Sequence, residues 1–343
     1  MASILSRGLK VLALFDLGQP TGLEQDFSEE LETEAWKTEA HVLSALRKLG
    51  CDVEYLAIHD NTDLLRQKLE TFPADVIFNL VEEFRNKRAL DQAVVSFLEL
   101  AGVPYTGCGS TGLTLCRHKG ISKKILGYHR IRVPQFAVLA RGRRIARPRW
   151  LPFPILVKPL KEEASTGIAQ ASFVENDDEF RDRVGFVHDK LGHDVIAEEY
   201  IAGRELYVSV VGNQRLEVFP IREMLFKEVP PDEPRFATYK AKWDDAYRKR
   251  WGIENQFAGA LAPEVKRSIE RTCRRIYHLL AMDGYGRIDL RLTPENEIVF
   301  IEANPNPFLA EDEDFALSAA AAGVDYATLI GRIVQLGMRA VRH

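Results

Sequence analysis

The stretch GRIDLRLTPENEIVFIEANPN, Gly286 to Asn306, decides how this chain is read. Two apolar-rich runs, Arg287–Leu292 and Ile298–Ala303, flank Thr293-Pro-Glu-Asn296, a turn signal that predicts a β-hairpin. Side chains alternate along a strand, so Arg287, Asp289 and Arg291 share one face, and Glu302 shares its face with Asn304. If the turn centres near Glu295, Asp289 and Glu302 sit nearly opposite. In that register both sets point the same way, whereas a slip of one residue separates them. Two carboxylates and a carboxamide oxygen on one face suit Mg²⁺, which takes oxygen ligands and bridges phosphates. A solvated face with incidental charge explains the same residues. Ile288, Leu290, Val299 and Ile301 weigh against it, because they pack the opposite face and leave the polar set as a cleft lining.

Upstream, three shorter features carry weaker signals. In Phe153-Pro-Ile-Leu-Val-Lys-Pro159 a lysine ends an apolar strand and can hold a fixed positive charge in a pocket. The segment that follows, KEEASTGIA, resembles a phosphate-covering turn without matching GxxxxGK[ST]. Ile196-Ala-Glu-Glu-Tyr-Ile-Ala-Gly-Arg-Glu205 is a strand ending in acids, able to offer backbone groups to a base and a carboxylate to ribose, and equally consistent with a surface strand end. Arg117-His-Lys-Gly-Ile-Ser-Lys123 puts cations at the start of a helix, where they oppose the helix dipole unless an anion is near. A solvated lysine face is the ordinary alternative.

The first third alternates strands and helices. Lys10–Phe15 reads as a buried strand, followed by a helix near Glu29–Leu49, a strand at Asp52–Ile58, a short helix at Asp63–Leu69, a strand at Asp75–Leu80 and a helix at Leu90–Ala101. This βαβαβ order predicts a parallel, doubly wound sheet. A helix at Lys119–Leu126, extended segments at Val133–Leu139, Ile155–Lys158 and Ile168–Val174, a helix at Asp177–Leu191 and a strand at Val195–Tyr200 make a second unit. Leu206–Val211 and Leu216–Ile221 flank Gly212-Asn213, another hairpin signal. The polar stretch 227–258 is long for a loop without regular structure, and such loops are usually functional or disordered.

Composition narrows the function. The chain has 343 residues and a net charge of −4, so no global basic field argues for nucleic acid. Arg141, Arg143, Arg144, Arg147 and Arg149 read as a solvated loop. The apolar run Val11–Phe15 is too short for a signal core or a span, which predicts a cytoplasmic protein with no membrane partner. Four scattered cysteines make no CxxC pair and eight histidines no HExxH, so packed thiols are expected rather than zinc.

Taken in order, VIFNLV, LELAGVPYTGCGSTGLTLCRHKGISKKIL, FPILVKP, IAEEYIAGREL, GYGRIDLRL and IVFIEANPNP resemble the D-alanine–D-alanine ligase branch of the ATP-grasp superfamily, from about Asp75 to Ile330. The resemblance implies an α/β ATP-grasp fold: an N-terminal domain over 1–116, then two α+β subdomains over 117–195 and 196–343 that clasp ATP. It gives Lys119 and Lys158 to the ATP phosphates, Glu198, Glu199, Tyr200 and Ile201 to the adenine hinge, and Glu205 to ribose. It makes Lys242 the lysine of a mobile loop over the γ-phosphate, Asp289, Glu302 and Asn304 the Mg²⁺ ligands, and Arg287 and Ser165 catalytic residues, Arg287 at the tetrahedral intermediate.

Departures cluster on the substrate side. No N-terminal glutamate loop is recognisable near Gly18–Phe27, and EEFRNKRALDQA replaces the HG…GEDG segment. Glu163 and Ala164 stand where a glycine and a serine are usual. Trp243 replaces a tyrosine, Phe308 a backbone-donor glycine, and Glu311-Asp-Glu-Asp314 a carboxylate-binding serine. A ligase joining a small-molecule carboxylate other than D-alanine to an amine through an acyl-phosphate is the expectation, with a homodimer allowed. The acidic run would attract a cationic acceptor, or be a solvated loop. A nucleotide-binding regulatory protein without chemistry and another ATP-grasp ligase or carboxylase are the rivals. A dehydrogenase is disfavoured because FDLGQPTG lacks GxGxxG.

Overall fold

The computed structural model describes residues 5–162, 165–230 and 233–340. The expected departures at Glu163 and Ala164 lie outside the described residues. The N-terminal part comprises β1 (Lys10–Asp16), α1 (Lys37–Lys48), β2 (Asp52–Ile58), α2 (Asp63–Thr71), β3 (Val76–Asn79), α3 (Asp91–Ala101) and α4 (Ser110–Arg117). Its sheet is parallel in the order β2-β1-β3. Leu12, Leu14 and Ile77 enter one core while Val11, Val76 and Phe78 enter another, so both faces are covered and the sheet is doubly wound. The first helix is shorter than the periodicity predicts. Residues 30–36 form two 3-10 turns instead, because Trp36 and Leu31 pack into an aromatic cluster with Phe15, Phe27 and Tyr55.

The central part holds α5 (Lys119–Tyr128), β4 (Phe136–Leu139), β5 (Ile155–Pro159), β6 (Phe173–Val174), α6 (Asp177–Phe186) and β7 (Val195–Glu199). Its sheet is antiparallel in the order β4-β7-β5-β6. Ile155, Val157, Val195 and Ala197 face Phe180 and Val184 in a core of their own. Leu156, Lys158 and Glu198 alternate onto the opposite face. The strand expected at Ile168–Val174 shrinks to two residues, since 170–172 turns where Arg183 donates to the Ser172 hydroxyl at 2.8 Å. In the arginine loop, Arg147 pairs with Asp177 at 2.8 Å and lies 4.5 Å over the Phe153 ring, so it is not simply solvated.

The remainder comprises β8 (Arg204–Val211), β9 (Glu217–Val218), β10 (Arg222–Phe226), α7 (Tyr239–Trp243), α8 (Asp245–Arg250), β11 (Ile253–Phe257), α9 (Pro263–Leu279), β12 (Tyr285–Leu292), β13 (Ile298–Pro305), α10 (Asp314–Ala321) and α11 (Tyr326–Arg339). The sheet runs β11-β10-β8-β12-β13, with β9 on β8. The strand expected to Ile221 stops at Val218, two residues before Pro220, which has no N–H for a ladder. Nor is 227–258 structureless: it supplies α7, α8 and the edge strand β11. Ile269, Cys273 and Ile276 of α9 cover one face of the sheet, and α11 packs Leu329, Ile333 and Val334 into the core that Val11 and Val42 enter. Among the described residues no single helix is long and apolar enough to cross a membrane.

Candidate active site

The face of the large sheet away from α9 is polar by alternation. β8 contributes Glu205 and Tyr207, β12 Arg287, Asp289 and Arg291, and β13 Glu302 and Asn304. Asp289 pairs with Tyr207 on one side and Glu302 on the other, and Arg287 pairs with Asn304. The hairpin reaches that register through a bulge. From the turn, Leu292 opposes Ile298 and Leu290 opposes Phe300; the next pair is Asp289 with Glu302, leaving Ile301 as the extra residue. Lys123 fixes the bulge by donating to the Ile301 carbonyl at 2.5 Å.

Arg287 forks both oxygens of Asp289 at 2.7 and 2.9 Å, and lies 4.7 Å over the Tyr207 ring. Lys119 stands 3.6 Å from one oxygen of Glu302 and Lys242 4.0 Å from the other. Burial alone would push the Glu302 carboxyl up, but Lys119 and Lys242 hold it well below the usual range. At Asp289 burial wins and the carboxyl is raised, against the pull of Arg287. The Asn304 amide nitrogen is buried without a hydrogen-bond partner. The three oxygen-bearing groups proposed for Mg²⁺ thus share one face, with cations gathered around the carboxylates.

The central sheet presents its own charges to this face. Glu198 sits between Lys158 and Lys123, 2.9 Å from each, and all three are almost fully buried. Burial pushes Glu198 up, yet the two lysines together hold it down and ionised. Burial in turn lowers Lys123 in spite of Glu198. Lys123 is a residue the sequence reading left without a role, although its spacing of four from Lys119 places both on one face of α5. The side chain of Glu198 is spent on this triad rather than open to a base. The N–H groups of Glu199 and Tyr200 already donate to the Gln135 and Pro154 carbonyls, at 2.8 and 2.9 Å.

Between the sheets lies a narrow slot of about 50 Å³, lined by Lys158, Glu199, Ile201, Glu205, Lys242 and Glu302 among others. Glu205 takes hydrogen bonds from Arg291 at 2.6 Å and the Tyr207 hydroxyl at 3.0 Å. Ser165, in the left-handed region at φ 60°, is buried and donates its hydroxyl to the Ala237 carbonyl at 2.8 Å. It therefore fastens the turn after β5 to the strap 233–238, and it lines the same slot as Lys242, Asp289 and Glu302. Tyr200 and Arg235, and Tyr239 and Ile168, bridge the same strap.

A second, wider cleft of about 1050 Å³ runs from Arg287 and Asn304 to the carboxyl ends of β1 and β3. The acidic run lies on its wall, but it is not a free negative patch. Asp314 pairs with Arg222 at 3.0 Å and Asn255 at 2.6 Å. Asp312 and Glu313 stand 3.2 and 3.4 Å from Lys37. Trp243 and Phe308 meet edge-on at 5.8 Å on the same wall.

Comparison with known proteins bears on the family and the fold. The family model described as D-ala D-ala ligase C-terminus matches residues 126–335. An uncharacterized protein of Sinorhizobium fredii, y4sG, is 30% identical over 87% of this chain and 86% of its own length. The D-alanine–D-alanine ligase of Desulfotalea psychrophila is 27% identical over 81% of this chain and 82% of its own. Among solved structures, the D-alanine–D-alanine ligase from Bacillus anthracis complexed with ATP superposes with a TM-score of 0.73 at 20% identity, over 96% of this chain and 98% of that one. The fold is that of an ATP-grasp ligase-like protein. The chain belongs to the D-alanine–D-alanine ligase family.

Proposed function

We propose that the protein is an ATP-dependent, ADP-forming ligase that joins a carboxylate to an amine through an acyl-phosphate, with substrates other than two D-alanines. The observation that carries this reading is Asp289 facing Glu302, with Lys119 and Lys242 on the two oxygens of Glu302. A related solved structure is described as complexed with ATP.

In this reading ATP enters the slot between the two antiparallel sheets. A slot of about 50 Å³ holds little more than water, so the strap 233–238 must lift first. Lys119, Lys158 and Lys242 bind the phosphates. Ile201 takes over the adenine edge, because the two preceding N–H groups are committed, and Glu205 exchanges its internal partners for ribose. Mg²⁺, when bound, is held by Asp289, Glu302 and Asn304, and supplies charge neutralisation at the phosphoryl oxygens. The Asp289 and Glu302 carboxylates and the Asn304 carboxamide oxygen share one strand face, an all-oxygen set that fits Mg²⁺.

The substrate carboxylate oxygen attacks the γ-phosphorus, the bond to the ADP oxygen breaks, and an acyl-phosphate forms. The amine then attacks the acyl carbon, phosphate leaves, and the amine gives up a proton. Arg287, turned from Asp289, steadies the oxyanion. The lowered strap keeps water from the acyl-phosphate.

Asp16 and Glu39 line the wide cleft with no ion pair of their own among the described residues. Burial raises both carboxyls, and the charge of Asp16 raises Glu39 further. A substrate ammonium group relieves both, which favours an amino acid as the carboxylate substrate. The departures at Trp243, Phe308 and Glu311–Asp314 argue against D-alanine as its partner. Phosphate release from Mg·ATP, measured with amino acids singly and in pairs, tests the reading. Release that requires one carboxylate and one amine supports it; ATP binding without release for any pair overturns it and favours a regulatory role.

A further inference from the structure

We infer that Trp243 and Phe308 form the wall of the amine subsite and select an amine that carries a large apolar side group. The inference rests on the ligase reading above. The two rings come from different segments, α7 and the loop after β13, and meet at 5.8 Å with planes at 90°. Despite that contact they remain 45% and 37% exposed. Leu317 of α10, 36% exposed, lines the same cleft. Three large apolar side chains left open on one concave wall are what a ligand-binding surface offers, whereas a convex surface scatters them singly.

Position assigns the wall to the amine rather than to ATP. Trp243 follows Lys242, whose ammonium is 4.0 Å from Glu302, so the rings stand beside the reacting end of the cleft. Phe308 follows the strand that carries Glu302 and Asn304. Neither residue lines the slot between the sheets. Asp312, Glu313 and Asp314 on the neighbouring run are already paired: Lys37 answers Asp312 and Glu313, and Arg222 answers Asp314. With Asp312, Glu313 and Asp314 already answered by cations, apolar contact is the recognition that Trp243, Phe308 and Leu317 themselves offer on this wall. Aromatic edges and faces favour a branched or planar group over a methyl.

The test is phosphate release with one carboxylate partner held fixed and alanine, leucine, phenylalanine and lysine as amines, in both enantiomers. The wild type is expected to favour phenylalanine or leucine over alanine in kcat/KM by about tenfold or more. Trp243→Ala and Phe308→Ala should raise KM for the large amine by about tenfold, with KM for ATP and for alanine held within about twofold. Phe308→Leu should restore most of the loss. Equal use of alanine and phenylalanine by the wild type, or variants that depress every amine alike, overturns the inference while leaving the ligase reading intact. Absence of turnover with every pair fails the ligase reading separately. Trp243 fluorescence, taken as the difference between wild type and Trp243→Phe in the presence of Mg·ADP, then decides for the wall itself. A change with phenylalanine and none with alanine supports it, and no change with either overturns it.

Discussion

Asp289 faces Glu302 one step out of phase with the pairing that the hairpin turn sets. Up to Leu290 the strands keep the register of the turn; the bulge at Ile301 then moves Glu302 into the place that Ile301 would otherwise hold. Without the extra residue an isoleucine would face Asp289 and Glu302 would point into the core under α9. The chemistry of the site therefore depends on one irregular residue and on Lys123, which holds its carbonyl.

Removal of the charge at either carboxylate should abolish most turnover. Asp289→Asn and Glu302→Gln are each expected to lower the rate of ATP-dependent phosphate release by about 100-fold or more, the scale of losing one preorganised electrostatic partner. ATP binding measured by calorimetry should change far less for Asp289→Asn. Near-normal release from that variant would remove the metal assignment.

Lys123→Met should destabilise the protein by about 3 kcal/mol or more, because it leaves a buried carboxylate with one partner instead of two. It also frees the Ile301 carbonyl. Urea unfolding with an unchanged m-value and an unchanged midpoint would show that the triad carries no stability.

Ser165→Ala removes the hydroxyl that donates to the Ala237 carbonyl. One such hydrogen bond contributes about 1 kcal/mol, so the strap should open roughly fivefold more often. Faster association of a fluorescent ATP analogue and quicker proteolysis within 233–238 are the expected readouts. A variant indistinguishable from wild type in both would place the strap's hold elsewhere.

The start of α5 should be sensitive to acid. His118 caps that helix by accepting from the Ile121 N–H at 3.2 Å, which requires a neutral ring, and burial lowers its pKa from the usual 6.5. A histidine whose folded pKa is depressed contributes stability that is full above about pH 6.5 and is lost as pH falls through the folded value. The loss should approach about 1 kcal/mol, the worth of a helix cap. His118→Asn keeps a cap oxygen and should flatten the melting temperature between pH 7 and 5; a slope equal to wild type's would refute the cap as its origin.

Much of this was legible in the sequence because alternation and order carry it. The βαβαβ rhythm of residues 10–101 predicts a parallel sheet, and the sheet is parallel. The pairing of Asp289 with Glu302 follows from placing both carboxylates on one face, although the bulge that achieves it has no local signal beyond that requirement. Other features depend on contacts distant in sequence. Nothing around Ser165 announces Ala237, and nothing in Glu311–Asp314 announces Lys37 or Arg222, so the acidic run reads as free when it is paired. The helix expected from Glu29 gives way to an aromatic cluster whose members come from four separate segments. The polar stretch 227–258 hides its strand because β11 is an edge, buried mainly at Ile253.

The packing of α11 against α1, in one core with β1, constrains how the protein is made. Val11 leaves the ribosome early, but the surface it buries is shared with Leu329, Ile333 and Val334, which follow some 300 residues later, about 15 to 60 s at ordinary elongation rates. The central sheet, with a core of its own, can fold in that interval, whereas the parallel sheet must wait with one face covered only in part, by α1. Nascent chains stalled before Tyr326 are therefore the species that chaperones should bind, and they should release once α11 is out.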